Sequence, residues 1–412
     1  MFVIYNFFLL LLLITSPIFL IIRVFLGKED KIRFKEKFGF FSKKNKISET
    51  IWIHGASVGE ILSIIPIIKR LEKDKKVKKI LITSLTTSSS YILSKYKFQK
   101  TIHQFYPFDI NFLTKIFINH WKPKLAIFVD SEIWPNMYKN LYKKKIPVML
   151  LNARITKKTY NRWKYFPNFS KNIFNKITIA LPQNLETKKY LKLLGVKNIK
   201  IAGNLKFFGT QQNKKNDNSI LKKKFLKKSI LCAASTHRSE ELFIGKVHKE
   251  LKLKIKNLIT IIIPRHINRK KEIVDELTKI GLNSELHTVS KKLKKKTDIY
   301  IVDTYGDASK FYLLSKLTFL GGSLIPHGGQ NPLEPAREGN YILYGPNVDN
   351  FKEVYRMLEN LNIATKINSI KRMKNIIIKK INYTQSSSVD KKLNYLGERI
   401  LNKNLFEIKK FI

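Results

Sequence analysis

The sequence predicts an α/β protein with two successive doubly wound domains, each a parallel sheet covered by helices on both faces. Its 412 residues are 44% apolar, which is enough for two hydrophobic cores. From residue 50 onward, short apolar runs typical of buried strands alternate with helical stretches. The alternation stops at one polar segment and then starts again, which predicts two domains rather than one.

The first domain is predicted to span residues 28–209 and to contain six strands. The candidate strands are Ile51–Ile53, Lys79–Thr83, Leu125–Val129, Val148–Leu151, Ile177–Leu181 and Lys200–Ala202. Helical stretches separate most of these strands, for example Ser89–Tyr96, Pro135–Lys144 and Leu185–Leu194.

The second domain is predicted to span residues 210–412 and to begin in the polar linker Thr210–Asn218. Its candidate strands are Ile230–Ala234, Leu258–Ile263, Ile299–Val302, Leu317–Leu320 and Tyr341–Tyr344. Helices are predicted near Ser239–Leu251, Asn268–Ile280, Asp307–Ser315 and Pro332–Glu338. A final helix, Lys391–Lys410, is expected to pack back across both domains.

Residues 1–27 are predicted to be a membrane anchor, because Phe2–Leu26 is nearly all apolar and long enough to span a bilayer. No small-residue cleavage site follows, which favours a retained anchor over a removed signal peptide. Basic residues follow the apolar stretch and almost none precede it, which predicts that the two domains lie on the cytoplasmic side. Pro17 leaves an alternative, a kinked monotopic hairpin that lies in the inner leaflet.

The formal net charge of +49 would suit nucleic acid or an anionic membrane surface as a partner. The lysines are spread over predicted helix surfaces, and no aromatic-interleaved basic motif or recognised nucleic-acid-binding fold accompanies them. The charge therefore predicts weak, salt-sensitive binding and no specific nucleic acid. The single cysteine, Cys232, excludes an intramolecular disulfide and a cysteine metal cluster, and its apolar run is typical of a packed core thiol.

The stretch Ile51–Glu60, IWIHGASVGE, is the motif around which the first domain is predicted to be organised. A strand that ends in a glycine-containing turn at a helix N-terminus is where α/β proteins bind ligands. Glu60 stands at the mouth of the helix and is a candidate catalytic carboxylate. The simpler interpretation, that Glu60 only complements the helix dipole, stays open on this stretch alone.

Candidate nucleotide-binding motifs follow the strands of the second domain. Gly321-Gly322-Ser323, the glycine turn, would let the backbone approach a phosphate, and His327–Ala336 opens a helix with free N–H groups. Glu334 is expected to accept hydrogen bonds from ribose hydroxyls, with dipole complementation as the simpler role. Ser235 is a phosphate donor or a helix cap. Arg265 with His266, and the Thr304–Asp307 turn, end two further strands.

Asp130 and Glu132 follow a strand of the first domain and resemble a short metal-binding pair of the DxD kind. We expect no metal, because helix termini, lysine and arginine are available to neutralise a nucleotide phosphate. Lys206, near the end of the first domain, is either a cleft residue or one more surface lysine. The carboxyl ends of both sheets are expected to face a central cleft, where these motifs would meet.

These motifs resemble those of the Kdo transferase family, whose members add 3-deoxy-D-manno-octulosonic acid (Kdo) to the lipid A precursor. The segments HGASVGE, SEIWPN, GNLKF, STHRSEE, PRH and GGSLIPHGGQNPLEPA occur in the family's order and spacing. The resemblance covers most of the chain, from the apolar N-terminal segment to the end of the second domain. No single motif is enough, but the set is highly specific.

The resemblance implies a GT-B, metal-independent, inverting glycosyltransferase without a cofactor, which uses CMP-Kdo as donor in lipopolysaccharide biosynthesis. Glu60 matches the family's catalytic base, and Lys206 matches a residue that supports the transition state. The positions that match nucleotide-binding residues are Arg265, His266, Tyr305, Gly306, Asp307, Asn331, Pro332, Leu333 and Glu334. Asp130 stands where the family usually has Glu; it keeps the charge but shortens the reach, so Glu132 is an alternative for its role.

In the implied reaction, Glu60 removes the proton of an acceptor hydroxyl, and basic groups stabilise the leaving phosphate. The acceptor is a phosphorylated lipid A precursor (lipid IVA), which an anionic bacterial inner membrane would present to the basic protein. The close alternative is another GT-B enzyme that uses a UDP-sugar on a lipid-linked acceptor. A non-catalytic membrane scaffold is a third interpretation, against which the intact HGASVGE motif argues. The sequence does not predict how many Kdo residues are transferred.

Overall fold

The computed structural model describes residues 1–27, 29–41, 49–208, 219–290 and 292–412. The chain divides into two compact units, one of Met1–Thr210 with Leu396–Ile412 and the other of Gln211–Tyr395. The predicted linker, Thr210–Asn218, lies outside the described residues.

The first unit contains a sheet of six parallel strands in the order β3-β2-β1-β4-β5-β6. The strands are β1 (Thr50–His54), β2 (Ile80–Ser84), β3 (Thr101–Phe105), β4 (Pro123–Val129), β5 (Val148–Ala153) and β6 (Ile179–Pro182). The helices are α1 (Phe2–Phe25), α2 (Val58–Glu72), α3 (Thr87–Ser94), α4 (Asn111–Trp121), α5 (Pro135–Lys143), α6 (Lys157–Lys164), α7 (Pro167–Phe174) and α8 (Leu185–Leu194). Short 3₁₀ helices cover Arg33–Phe38 and Leu205–Phe207.

Trp52 is at the centre of the first core. Its side chain is fully buried in β1, and its ring centroid lies 4.8 Å from that of Phe117 and 5.2 Å from that of Phe128. The indole N–H donates to the Thr83 hydroxyl at 2.9 Å, so the buried polar atom is satisfied. A continuous apolar strand with buried faces is what a parallel sheet covered by helices requires.

The second unit contains a sheet of seven parallel strands in the order β13-β12-β11-β7-β8-β10-β9. The strands are β7 (Ser229–Thr236), β8 (Leu258–Pro264), β9 (Ser284–Leu286), β10 (Ile299–Ile301), β11 (Leu317–Leu320), β12 (Tyr341–Tyr344) and β13 (Ala364–Lys366). The helices are α9 (Ser219–Lys224), α10 (Glu240–Lys252), α11 (Lys270–Lys279), α12 (Ala308–Tyr312), α13 (Leu333–Arg337), α14 (Lys352–Asn360) and α15 (Ile370–Lys380). Cys232 is fully buried in β7, and burial raises the pKa of its thiol to about 12.

The long last helix, α16 (Ser387–Lys409), packs on the first unit through its C-terminal part. Leu401 and Ile408 are fully buried, and Glu407 pairs with Lys200 at 3.0 Å. Lys409 pairs with Asp74 at 3.0 Å. The chain therefore returns to the first unit after it has completed the second.

The structure corrects one predicted strand and adds three. Lys200–Ala202 is not a strand: the segment follows only an isolated bridge from Ile199 to Ala180, although Lys200 N–H still donates to Ala180 at 3.0 Å. The added strands are β3, β9 and β13, and all three lie at a sheet edge. Edge strands carry polar side chains and are short, which weakens the apolar signal that predicts a strand.

The N-terminal end of α1 is bonded to the first domain. The Tyr5 hydroxyl donates to Asp109 Oδ2 at 2.8 Å, and Asn136 Nδ2 donates to Asn6 Oδ1 at 2.7 Å. The Asp109 carboxylate also accepts the backbone N–H groups of Asn136 and Met137 at 2.9 and 2.8 Å. It therefore caps the start of α5 while it holds α1.

The C-terminal end of α1 is bonded to the same domain. Arg23 Nε and Lys37 Nζ approach the Glu29 carboxylate at 3.3 and 2.7 Å, and Leu20 is buried. The helix runs unbroken through Pro17, so the kinked hairpin is not formed. By length and composition alone α1 could cross a membrane. In the structure it lies along the domain and contacts it near both ends.

Candidate active site

Glu60 lies in the first turn of α2, directly after the turn that follows β1. Ser57 caps the helix, because its Oγ accepts the Glu60 N–H at 3.4 Å. The Glu60 carboxylate folds back and accepts the Ala56 N–H at 2.7 Å and the Ser57 hydroxyl at 2.9 Å. Glu60 therefore places its charge at the N-terminus of α2, which is the simpler role that the sequence left open, and it also bonds to the turn before the helix.

The same surroundings give Glu60 the protonation behaviour of a base. Burial, followed by the negative charge of Glu132, raises the pKa of Glu60 to about 7, although the hydrogen bonds from Ser57 and Ala56 oppose the shift. The residue is only half-buried, so a ligand can reach it. A carboxylate with a pKa near neutrality is suited to accept a proton at neutral pH.

His54, the last residue of β1, connects the strand end to Glu132. Its imidazole is fully buried, with Nδ1 2.9 Å from Thr83 Oγ1 and Nε2 3.3 Å from Glu132 Oε2. Glu132 also accepts the indole N–H of Trp134 at 3.0 Å. These contacts fix Glu132 in the position from which its charge acts on Glu60.

Asp130 follows β4 in the left-handed backbone conformation, with φ 65°, which Asp tolerates better than most residues. Its side chain is buried, and Gln183 Nε2 donates to Asp130 Oδ1 at 3.4 Å. Burial raises the pKa of Asp130, while the positive charges of Lys206 and Arg154 act to lower it. Two cations are therefore close enough to favour the charged carboxylate.

Lys206 is held in place by the backbone of the 3₁₀ turn that carries it. The Lys206 N–H donates to Asn204 Oδ1 at 3.0 Å, and the Leu205 N–H donates to Asn152 Oδ1 at 2.9 Å. Asn152 lies in β5, so the turn is tied to the carboxyl edge of the sheet. The first domain thus brings the predicted residues Glu60, Asp130 and Lys206 to one edge.

The chemistry available at this edge is that of carboxylates and cations. Among the described residues, no group of three or more His, Cys, Asp or Glu side chains is placed to hold a metal ion. Metal independence stays a prediction, and so does the absence of a cofactor.

In the second unit, the Glu240 carboxylate occupies backbone donors at and beside the glycine turn. Its buried carboxylate accepts the His237 N–H at 3.0 Å and the N–H groups of Gly322, Ser323 and Leu324 at 2.7, 3.1 and 3.0 Å. These four N–H groups are therefore not available to a phosphate, and the close approach of a phosphate to the glycine turn stays a prediction. They already neutralise a carboxylate of the protein itself.

Histidines gather beside the glycine turn. The Ser235 carbonyl accepts His237 Nδ1–H at 3.0 Å, and the His237 ring centroid lies 4.4 Å from that of His327 and 6.0 Å from that of His266. Burial, together with the charge of His327, lowers the pKa of His237 to about 4, so this imidazole is neutral near pH 7. Arg265 and His266 are exposed and free to meet a ligand from solvent.

The turn after β10 is ordered by its own side chains. Thr304 Oγ1 donates to Asp307 Oδ2 at 2.6 Å, and Lys310 pairs with Asp307 at 2.7 Å. Burial acts against the charge on Asp307, but the hydrogen bonds from Lys310 and Thr304 prevail and lower its pKa. Gly306 has φ 88°, and Tyr305 is 74% exposed. The Tyr305 ring is thus presented to solvent.

The remaining predicted residues lie at the start of α13. Asn331 Oδ1 accepts the Leu333 N–H at 3.2 Å, and Pro332 and Leu333 are buried. Glu334 is exposed in the first turn of the helix. The buried pair therefore fixes the loop, and the Glu334 carboxylate is accessible. Its contact with a ribose stays a prediction.

Three residues of these sites were missed by the sequence analysis. Arg154 and Gln183 directly follow β5 and β6, and a polar residue immediately after a strand is a signal that would have found both. Glu240 offered no such signal, because an acidic residue in the first turn of a helix is ordinary. Only the fold brings the glycine turn onto it.

Comparison with known proteins identifies relatives over nearly the whole chain. A family model described as 3-Deoxy-D-manno-octulosonic-acid transferase (kdotransferase) matches residues 32–208. A 3-deoxy-D-manno-octulosonic acid transferase from Rickettsia bellii (strain RML369-C) is 32% identical over 374 residues, 90% of this chain and 89% of the relative. One from Haemophilus influenzae (strain ATCC 51907 / DSM 11121 / KW20 / Rd) is 30% identical over 371 residues, 87% and 86% of the two chains.

Solved structures share the fold at much lower identity. The UDP-GlcNAc 2-epimerase from Neisseria meningitidis superposes with a TM-score of 0.59 and 13% identity, covering 88% of this chain and 99% of that one. At this identity the match bears on fold alone. It confirms the predicted class of two parallel-sheet α/β domains of the GT-B type.

The Glu240 carboxylate is predicted to hold the glycine turn in place. Glu240→Gln should destabilise the second unit by roughly 2–5 kcal/mol, because the amide NH₂ would face N–H donors that the carboxylate now accepts. Hydrogen exchange read by mass spectrometry should show lost protection at residues 322–324. Glu250→Gln, on the exposed side of α10, is the matched control and should leave the protection of residues 322–324 unchanged. Equal protection of these residues in both variants would contradict the proposed role of Glu240.

Proposed function

The chain belongs to the 3-deoxy-D-manno-octulosonic acid transferase family, and on that premise we propose that it transfers Kdo from CMP-Kdo to a phosphorylated lipid A precursor. The reaction class is glycosyl transfer in lipopolysaccharide biosynthesis. The curated relatives carry the Kdo transferase name, so a UDP-sugar donor is the less supported alternative.

The observation that carries the mechanism is the half-buried Glu60 carboxylate, whose pKa is raised to about 7. Glu60 accepts the proton of an acceptor hydroxyl as the hydroxyl oxygen attacks the anomeric carbon of Kdo. The bond from that carbon to the CMP phosphate breaks, and the electron pair leaves with CMP. One base is sufficient for a single displacement with inversion, and a positioned base contributes roughly 10²–10⁴-fold.

Asp130 and Lys206 are proposed to stabilise charges that develop during the reaction, and not to transfer protons. The anomeric carbon gains positive charge as the leaving group departs, and the buried Asp130 carboxylate is suited to stabilise it. Lys206 supplies a positive charge for the departing phosphate. The charge of Lys206 acts to lower the pKa of Asp130, which supports an electrostatic interaction between the two side chains.

The donor nucleotide is assigned to the second unit. Arg265 and His266 are exposed and offer charge and hydrogen bonds to a phosphate. Tyr305 offers an exposed ring, and Glu334 an exposed carboxylate for ribose hydroxyls. Ser235 contributes its backbone carbonyl to the orientation of His237, and its hydroxyl is proposed as a phosphate donor.

The protein is proposed to lie on the cytoplasmic face of a bacterial inner membrane, with α1 in the plane of the bilayer surface. A helix that crosses about 30 Å of hydrocarbon has only one end near a cytoplasmic domain. Tyr5 and Arg23, near opposite ends of α1, both contact the first domain. Between them α1 exposes Phe7, Ile14 and Ile18, a face suited to interfacial lipid.

The proposed reaction is tested by the mass of the lipid product. The purified protein is incubated with the phosphorylated disaccharide lipid and CMP-Kdo, which is generated in the same tube. We expect lipid heavier by one or more Kdo units, and the number of units gives the number of transfers. A folded protein that binds CMP but adds no Kdo would exclude this acceptor.

Glu60→Gln is expected to abolish turnover while leaving CMP affinity unchanged, because the amide keeps a cap acceptor but cannot take a proton. The loss should be at least about 10²-fold in kcat. Glu186→Gln is the matched control, since Glu186 also lies in the first turn of a helix, α8, but is not one of the three carboxylates Glu60, Asp130 and Glu132. Comparable losses of kcat in both variants would show that Glu60 acts only at the helix N-terminus and not as a base.

The transfer rate is expected to rise with pH and to level off above about pH 7. The ionised form of Glu60 is the active one, so kcat/KM should fall roughly tenfold per pH unit below the pKa. Glu132→Gln removes the neighbouring negative charge and should move the inflection to lower pH. An inflection that stays in place in this variant would show that Glu132 does not set the pKa.

Membrane binding is expected to depend on the exposed face of α1. Ile14 and Ile18 are 74% and 68% exposed, and the double substitution Ile14→Glu/Ile18→Glu should release the protein from anionic vesicles in a flotation assay. Ile32→Glu, on an equally exposed residue outside the helix, should remain bound. Unchanged flotation of the double variant would assign binding to the basic surface instead.

A further inference from the structure

An apolar cavity of about 670 Å³ lies within the first domain, between α1 and the loops that follow β2, β3 and β4. Its walls include residues of the helix and of the loops: Leu12, Ser16, Leu20, Leu85, Phe108 and Trp134. The cavity is held open because α1 is bonded to the domain near its two ends, by Tyr5 and by Arg23.

Most polar groups in the cavity walls are engaged within the protein; the exception among the described wall residues is the buried Tyr106 hydroxyl. The Ser16 hydroxyl donates to the Leu13 carbonyl at 2.9 Å, and the Trp134 N–H donates to Glu132. The Asp109 carboxylate accepts from Tyr5 and from two backbone N–H groups of α5. A polar metabolite would find few partners here, whereas an alkyl chain needs none.

The cavity shares a wall with the candidate active site. Trp134 lines the cavity and bonds to Glu132, which contacts His54. Tyr106 also lines the cavity, and its ring centroid lies 4.0 Å from that of His54. The carboxyl edge of one sheet therefore carries a carboxylate base and, beside it, an apolar space of ligand size.

We infer that this cavity binds one acyl chain of the lipid acceptor and thereby positions the sugar hydroxyl at Glu60. The inference rests on the proposed function. The exposed face of α1 lies in the lipid surface, so a chain enters from the bilayer without crossing water. An acyl chain that fills the cavity fixes the position of the acceptor relative to Glu60. Each methylene of the chain that is buried changes the affinity for the acceptor by about fourfold.

The test compares an acylated acceptor with the same phosphorylated disaccharide after its acyl chains are removed. Ser16→Phe fills the cavity from the helix and Leu85→Phe fills it from the domain; Ile14→Phe, on the exposed face of α1, is the control. We expect both filling variants to raise KM for the acylated acceptor at least tenfold and to leave the deacylated acceptor unchanged. Equal effects on both acceptors, or no effect on either, would overturn the inference.

A second measurement needs no turnover. Acceptor with bromine on its acyl chains should quench Trp134 fluorescence in detergent, with Trp134→Phe as the blank, and Ser16→Phe should weaken the quenching. Quenching of equal strength by brominated phosphatidylcholine would show a general lipid site and overturn the assignment to the acceptor. If the wild-type enzyme transfers Kdo to neither acceptor, the proposed function fails, while the quenching still decides whether the acceptor occupies the cavity.

Discussion

The repulsion among three carboxylates at one sheet edge is the constraint on which the site depends. Glu60, Asp130 and Glu132 follow β1 and β4, which are neighbours in the sheet, so a parallel fold cannot keep them apart. The surroundings affect the carboxylates differently. The cations Lys206 and Arg154 favour the charged form of Asp130, whereas Glu60 has a pKa near neutrality. The raised pKa means that ionising Glu60 costs folding stability as pH rises from about 4.5 to about 7, and the proposed role of Glu60 as a base requires this cost.

Two helices of this chain begin with a carboxylate that folds back onto the backbone, yet the two groups do different work. Glu240 accepts four N–H groups in a buried turn, so its oxygens are fully used and its role is structural. Glu60 accepts one N–H and one hydroxyl and is half-buried, so lone pairs remain for the substrate proton that it is proposed to accept. The two glutamates differ in how many hydrogen bonds their carboxylate oxygens accept, and not in their position in the helix.

The alternation of apolar runs and helices was sufficient to predict ten of the thirteen strands seen in the described residues, and with them two parallel-sheet α/β domains. The GT-B class came from the resemblance to the Kdo transferase family. The alternation did not predict β3, β9 and β13, because an edge strand such as TIHQF mixes polar and apolar residues and lacks the pattern of a buried one. Glu60, Asp130 and Lys206 could be found by motif. Arg154 was missed although its place directly after β5 is a sequence signal, whereas Glu240 and the α1 cavity carry no such signal, since each depends on which distant segments the fold brings together.

The docking of α1 also imposes an order on how the protein is made. The helix leaves the ribosome before its partners Asp109, Asn136 and Phe169 exist. At roughly 5–20 residues per second, the apolar segment waits on the order of ten seconds for them. During this time, a bilayer surface can shield the apolar segment from water. On the proposed placement of α1 at the bilayer surface, the nascent chain is tethered before the first domain folds, and the domain closes over a helix that already lies in lipid.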